Sequence, residues 1–149
     1  MKRVVARKRG TNRRRSIRVG VAAVILDRSG RVLLLRRGKR AGAGSWALPG
    51  GRVKFGESLR DAIVREMGEE VGVSAVNLHE LGWYEDFGES QHWISAMFCV
   101  TEFEGEAVNR EPDVHPAMNW FEFSKLPTSL FCVAREGIAR ARARGFCGR

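Results

Sequence analysis

The chain has 149 residues, enough for one domain around a single core and too few for two. It is 44% hydrophobic and 29% charged, with no apolar run near the roughly 18 residues of a membrane-crossing helix. Nor does the basic start, Met1-Lys2-Arg3, lead into the roughly 7 to 15 apolar residues of a secretory signal. The net charge of +9 is unevenly spread. Residues 1–17 hold eight Lys or Arg and no acid, residues 135–149 hold five Arg and one acid, and the stretch between has 13 basic against 16 acidic residues. The basic character therefore belongs to the ends, and the body is mildly acidic. Cys99, Cys132 and Cys147 are odd in number and form no C-x-x-C pair, which argues against a disulfide framework and a zinc site. A cytoplasmic location is expected, with no membrane contact.

Residues 1–17 carry too few apolar groups to offset the entropy of ordering them, so a disordered arm is predicted there. From Arg18 to Leu26 the chain turns Val-rich. Asp27-Arg28-Ser29-Gly30 supplies a turn, and Val32-Leu33-Leu34-Leu35 reads as the returning strand of a hairpin. The basic, small-residue stretch Arg36 to Gly44 is a loop, Ser45 to Leu48 a short strand stopped by Pro49-Gly50-Gly51, and a second loop runs to Gly56. Ser58 as a cap, Asp61 three residues on and Gly72 as a terminator predict a helix over about 58–71. Leu78 to Tyr84 and His92 to Phe103 read as strands around an acidic loop with Glu85, Asp86 and Glu89, and Met118 to Phe123 as a further strand. Leu130 to Arg144 alternates apolar and basic residues at helical spacing. Mixed strands and helices in this order point to an α+β or α/β sandwich, with the domain at 18–145 and a tail at 146–149.

Chemistry concentrates on the first helix. At 100° per residue, Glu70 stands about 40° and Glu69 about 60° from Glu66, so three carboxylates share one arc. Leu59, Ala62 and Ile63 occupy the same arc, the face expected to meet the sheet. Like charges at i,i+4 repel, and partial burial raises the cost. A hard divalent cation would resolve the conflict, and the absence of His and Cys from the cluster favours Mg²⁺ or Mn²⁺.

Around that cluster the residues run Gly51, five others, Glu57, seven others, then Arg65-Glu66-Met67-Gly68-Glu69-Glu70-Val71-Gly72-Val73. This resembles the Nudix box, G-x5-E-x7-R-E-U-x-E-E-x-G-U with U aliphatic. All nine restricted positions agree, Met67 being the loosest. Leu48-Pro49-Gly50-Gly51 before the box and Trp120-Phe121 with Leu126-Pro127 after it extend the resemblance. It implies an α/β/α sandwich with a mixed sheet and a Mg²⁺-dependent pyrophosphohydrolase, with Mn²⁺ able to substitute. The substrate class implied is a nucleoside diphosphate linked to a group X, foremost a nucleoside triphosphate cut to monophosphate and pyrophosphate. The runners-up are ADP-ribose or a nucleotide sugar, and an RNA 5′ end.

By the same resemblance Glu66 and Glu70 ligate metal, the Gly50 carbonyl joins them, and Glu69 is ligand or general base. Arg65 and Glu57 form the ion pair that fixes the loop on the helix, and Gly51 and Gly72 complete the structural frame. Glu69 is the first choice as base, with Glu111 and Glu89 as loop competitors. Arg36, Arg37, Lys39 and Arg40 are open between phosphate contact, for which Arg37 is the best candidate, and solvated loop charge, and Gly51 and Glu111 are the further candidates for substrate contact. His92 and His115 are open between substrate contact and structure. Trp83, Trp93, Trp120, Phe87 and Phe131 offer aromatic surface without an assigned role. The basic arm could attract nucleic acid, but a solubilising tail is the favoured reading. Oligomeric state is open between monomer and homodimer. A non-catalytic nucleotide-binding module is the rival of another class, opposed by the intact set Glu66, Glu69 and Glu70.

Overall fold

The computed structural model describes residues 16–39, 41–88 and 91–147. The predicted arm therefore lies outside the described residues except for its last two positions, and Ile17 already belongs to a strand. In chain order the elements are β1 (Ile17–Ile25), β2 (Val32–Arg36), β3 (Trp46–Ala47), β4 (Gly50–Arg52), α1 (Leu59–Val71), β5 (Ser74–Phe87), β6 (His92–Glu104), β7 (Ala117–Phe121), a 3₁₀ turn and α2 (Cys132–Ala143). One sheet has the order β4-β1-β6-β5, with β1 and β6 parallel, and a second has the order β3-β2-β7. The architecture is an α+β sandwich with α1 and α2 on opposite sides of the mixed sheet.

Near-continuous apolar runs in β1 and β2 have a direct cause, since strands covered on both faces need no polar alternation. Val21, Ala23, Ile25, Leu33 and Leu35 join Ile63, Met67 and Val71 of α1 in one core. Ala22, Val24 and Leu34 join Ala134, Ile138 and Ala141 of α2 in the other. Burying Ile63, Met67 and Val71 contributes roughly 1.5–3 kcal/mol each, enough to fix the rotation of α1 about its axis. Ser58 caps that helix by accepting the Asp61 N–H, and Gly72 ends it at φ 72° in the left-handed region.

Several expectations are corrected. The β1–β2 turn forms as read, with Asp27 accepting from the N–H groups of Ser29, Gly30 and Arg31. The strands do not make a hairpin, however. They meet only at Leu26 and Val32 and then enter different sheets, because β1 satisfies its edges on β6 and β4. The short strand β3 does end before Pro49, but Gly50-Gly51 opens β4 on β1 where a loop is expected. Glu85 and Asp86 lie within β5, which runs on to Phe87. Leu59, placed on the inward face, is 42% exposed because it stands at the first turn, beyond the sheet. Phe146 and Cys147, taken as tail, pack against the α2 core.

Candidate functional site

The last two turns of α1 lie over β4, the ledge on which the acidic side chains rest. Glu70 is nearly buried, its side chain 8% exposed, and Oε2 accepts the Gly50 N–H at 2.8 Å. Glu66 is 12% exposed and lies against Gly51, where a Cβ would strike its carboxylate. A Cβ on Gly50 would strike the Val21 carbonyl and approach the Ala22 Cα at 2.8 Å. Only residues without a side chain let helix, ledge and β1 come this close.

Arg65 organises the rim. Its Nε and Nη2 donate to the two oxygens of Glu57 at 2.6 and 3.0 Å, Nη1 donates to Glu66 and Glu69 at 2.9 and 3.1 Å, and Nη2 also reaches the Arg52 carbonyl. The hydrogen bonds from Arg65 and then from the Lys54 N–H hold the Glu57 carboxyl down at about 2. Glu57 and then Glu66 push the guanidinium further above its ordinary value. Burial pushes the Glu66 carboxyl up; the hydrogen bond from Arg65 opposes this, while the charges of Glu70 and Glu69 add to it.

The three acids are thus not equivalent. Glu66 and Glu70 face the ledge, while Glu69 is 49% exposed and tied back to Arg65. A 100° arc on a helix is wider than the strip the sheet covers, and Glu69 falls outside it.

The loop from Gly105 to Pro116 closes the other side. Val108 and Arg110 N–H groups donate to the carbonyls of Val71 and Glu70, and the Arg110 side chain reaches the Gly68 carbonyl, so the open carbonyls at the end of α1 are satisfied by this loop. Asn109 then clamps its own turn. Its Nδ2 donates to the His115 carbonyl at 2.7 Å and its Oδ1 accepts the Glu111 N–H at 3.1 Å. The result is a group that no stretch of sequence contains. Ligand-type atoms of Glu70, Glu111 and His115 lie within 4.8 Å of one another.

The expectation that histidine is absent from the acidic cluster is therefore corrected: His115 Nε2 is 3.3 Å from Glu70 Oε1. The structure brings Glu111, one of the two loop candidates, up to Glu70, whereas Glu89 and Arg40 lie outside the described residues. Carboxylates, one imidazole and a glycine ledge that a Cβ would fill make a donor set that fits a divalent cation.

A pocket beside this group is lined by Arg37, Leu48, Gly50, Glu70 and His115, among others. Arg37 faces it from the end of β2. Its Nε donates to the Ala41 carbonyl at 2.7 Å, and its guanidinium carbon stands 4.0 Å from the centre of the Phe131 ring. Arg36, the preceding residue and the last of β2, is exposed and outside the lining. Lys39 is exposed as well. His92 stacks on Phe87 with ring centres 4.5 Å apart and faces Glu85 at 3.8 Å. The guanidinium carbons of Arg18 and Arg52 stand 5.6 and 5.7 Å from the centre of the Trp93 ring. Trp120 stacks on Phe103, and Trp83 and Phe87 are exposed. Sequence reasoning left His115 unassigned and missed Asn109. The one available signal was the turn-forming Asn109-Arg110-Glu111-Pro112-Asp113.

Residues 16–140 match the NUDIX domain. The chain is 34% identical over 108 residues to the oxidized purine nucleoside triphosphate hydrolase of Danio rerio, covering 71% of this chain and 67% of that one. It is 30% identical over 155 residues to the RNA pyrophosphohydrolase of Caulobacter vibrioides, covering 88% and 86%. Other curated relatives are longer, and the chain spans 29%, 63% and 42% of three of them. Among solved structures, the MutT NUDIX hydrolase of Burkholderia pseudomallei superposes with a TM-score of 0.80 at 34% identity, covering 84% of this chain and 98% of that one. Among the described residues no helix is long and apolar enough to cross a membrane.

Proposed function

This chain belongs to the NUDIX domain family, and from that premise we propose that it is a pyrophosphohydrolase cutting a phosphoanhydride in a nucleoside diphosphate-X compound, with a nucleoside triphosphate giving monophosphate and pyrophosphate as the leading case. The observation that carries this reading is that Glu70 and Arg37 line one pocket, with Glu111 and His115 grouped about Glu70. An acid and an arginine lining the same pocket suit a polyphosphate gripped through a cation by the one and directly by the other.

In this reading Glu66, Glu70 and Glu111 hold Mg²⁺, or Mn²⁺ in its place, and Gly50 offers its carbonyl as a further oxygen. A bound dication supplies neutralisation of the pyrophosphate oxygens and a water made acidic enough to attack phosphorus. The protein's own groups do the rest. The Gly50 N–H fixes one oxygen of Glu70, and Arg65 holds Glu66 and Glu69 in place while locking the loop through Glu57. Glu69, half exposed and oriented by Arg65 through one oxygen, accepts the proton of the attacking water. Arg37, braced by Phe131 and the Ala41 carbonyl, takes a phosphate oxygen. The name of the Danio rerio relative supports a triphosphate substrate.

The test is a panel of ordinary and oxidised nucleoside triphosphates, ADP-ribose, nucleotide sugars and 5′-triphosphorylated RNA, assayed with Mg²⁺ and Mn²⁺. Turnover of at least one triphosphate that collapses on chelation of the metal and in Glu70→Gln is expected. Turnover indifferent to both would refute the proposal.

A further inference from the structure

His115 is a buried group that the hydrolytic reading leaves unused. Its residue exposure is 7%, and among the described residues its Nδ1 has no hydrogen-bond partner. The other ring nitrogen, Nε2, is the one turned to Glu70, so the side chain of His115 is only half satisfied. Its backbone is fixed instead: its N–H donates to the Glu111 carbonyl at 2.8 Å, its carbonyl accepts from Asn109, and the loop is clipped to the end of α1 through the Arg110 N–H on Glu70. The chain has thus built a turn that carries Glu111 and His115 to the one buried carboxylate of the helix.

The separation of the two side chains points the same way. Nε2 and Glu70 Oε1 stand 3.3 Å apart, long for a charge-assisted N–H···O bond, which runs about 2.7–2.9 Å. Two neighbouring ligand atoms of a six-coordinate dication, with bonds of about 2.1 Å at right angles, stand about 3 Å apart. The 3.3 Å spacing of Nε2 and Oε1 is within a few tenths of an ångström of that for adjacent ligands.

We propose that His115 is a nitrogen ligand of the cation site, binding through Nε2 beside Glu70 and Glu111, and that the site therefore prefers a first-row transition dication such as Mn²⁺ or Co²⁺ to Mg²⁺. This rests on the reading above that Glu70 belongs to the cation site. Imidazole competes poorly with water for Mg²⁺ but binds later first-row ions well. When the cation binds, the ring proton resides on Nδ1; without it, Nε2–H donates to Glu70. Selectivity then depends on one side chain outside the helix motif.

The full chain loaded with one equivalent of Mn²⁺ tests this by pulsed electron paramagnetic resonance, which detects a coordinated imidazole nitrogen without any turnover. A nitrogen coupling is expected in the wild type and its loss in His115→Gln. The Mn²⁺ dissociation constant should rise about tenfold or more in that variant, while the Mg²⁺ constant, read by displacement of Mn²⁺, moves less than about threefold. Mn²⁺ bound at a site that Glu70→Gln weakens, yet without nitrogen coupling in the wild type, would overturn the inference and leave the carboxylate reading standing. Mn²⁺ binding unaffected by Glu70→Gln would overturn both. Should His115→Gln fail to fold by circular dichroism, the wild-type spectrum decides alone.

Discussion

Two adjacent glycines separate what the ledge does for stability from what it does for the site. In Gly51→Ala the three atoms nearest the new Cβ all belong to the Glu66 carboxylate, the far end of a flexible side chain. The helix need not move, and the cost is that of modest overpacking, about 1 kcal/mol, or a few degrees in Tm. Glu66 must swing off the ledge, however, and a displacement of about 1 Å in a positioned group is worth about 100-fold in rate. In Gly50→Ala the Cβ meets backbone, the Val21 carbonyl and the Ala22 Cα, so β4 must part from β1 at the Ala22–Gly50 and Val21–Gly51 pairs. That costs about 3 kcal/mol or more. Urea denaturation alongside kcat/KM for a responsive triphosphate measures both quantities on each variant. Gly51→Ala retaining kcat/KM within about threefold of the wild type would show that the place of Glu66 against the ledge does not matter, and equal destabilisation of the two variants would refute the distinction between side-chain and backbone obstruction.

Other expectations follow from the same geometry. Arg37→Lys loses the planar fork that faces the pocket and should raise KM for a triphosphate about tenfold with little change in kcat; unchanged KM would remove Arg37 from the phosphate site. Glu69→Gln should lower kcat while leaving Mn²⁺ affinity alone, and Glu111→Gln should weaken Mn²⁺ binding; the opposite pattern in calorimetry and kinetics would exchange their roles. Glu57 is held at about 2 in the folded chain against 4.5 in a free chain. Its contribution to stability is therefore complete above pH 4.5 and is lost as pH falls from there through about 2. Glu57→Gln should flatten the stability profile in that window, and an unaltered acid limb would contradict the pairing with Arg65. Burial lifts the Cys99 thiol to about 12 and the Cys147 thiol to about 11, so at pH 8 both should label far more slowly with a thiol reagent in the native than in the urea-unfolded protein.

What could be read from the chain alone was whatever is local. The cap at Ser58, the stop at Gly72 and the spacing of Glu66 and Glu70 all lie on one helix, and helical periodicity places them before any tertiary contact is known. The β1–β2 turn is equally legible, but its strands read as a hairpin, because sheet partners are chosen by long-range pairing that the local sequence does not carry. Gly50-Gly51 reads as a breaker by composition, and only its pairing with β1 and the nearness of α1 show it to be a strand built without side chains. The half-exposed position of Glu69 depends on how wide a strip of helix the sheet covers. His115 lies 45 residues from Glu70 along the chain, and no spacing rule joins them. Their meeting is decided by the Asn109 turn and the carbonyls left open at the end of α1.

The central claim is that the ledge and its carboxylates cleave a nucleotide anhydride so that pyrophosphate leaves as one piece, and ³¹P NMR of a nucleoside triphosphate turned over by the full chain tests it most directly. The expected spectrum shows monophosphate and pyrophosphate rising together in equal amounts, only with a divalent cation, and not in Glu70→Gln. Diphosphate with orthophosphate, or products formed equally well by Glu70→Gln, would contradict it.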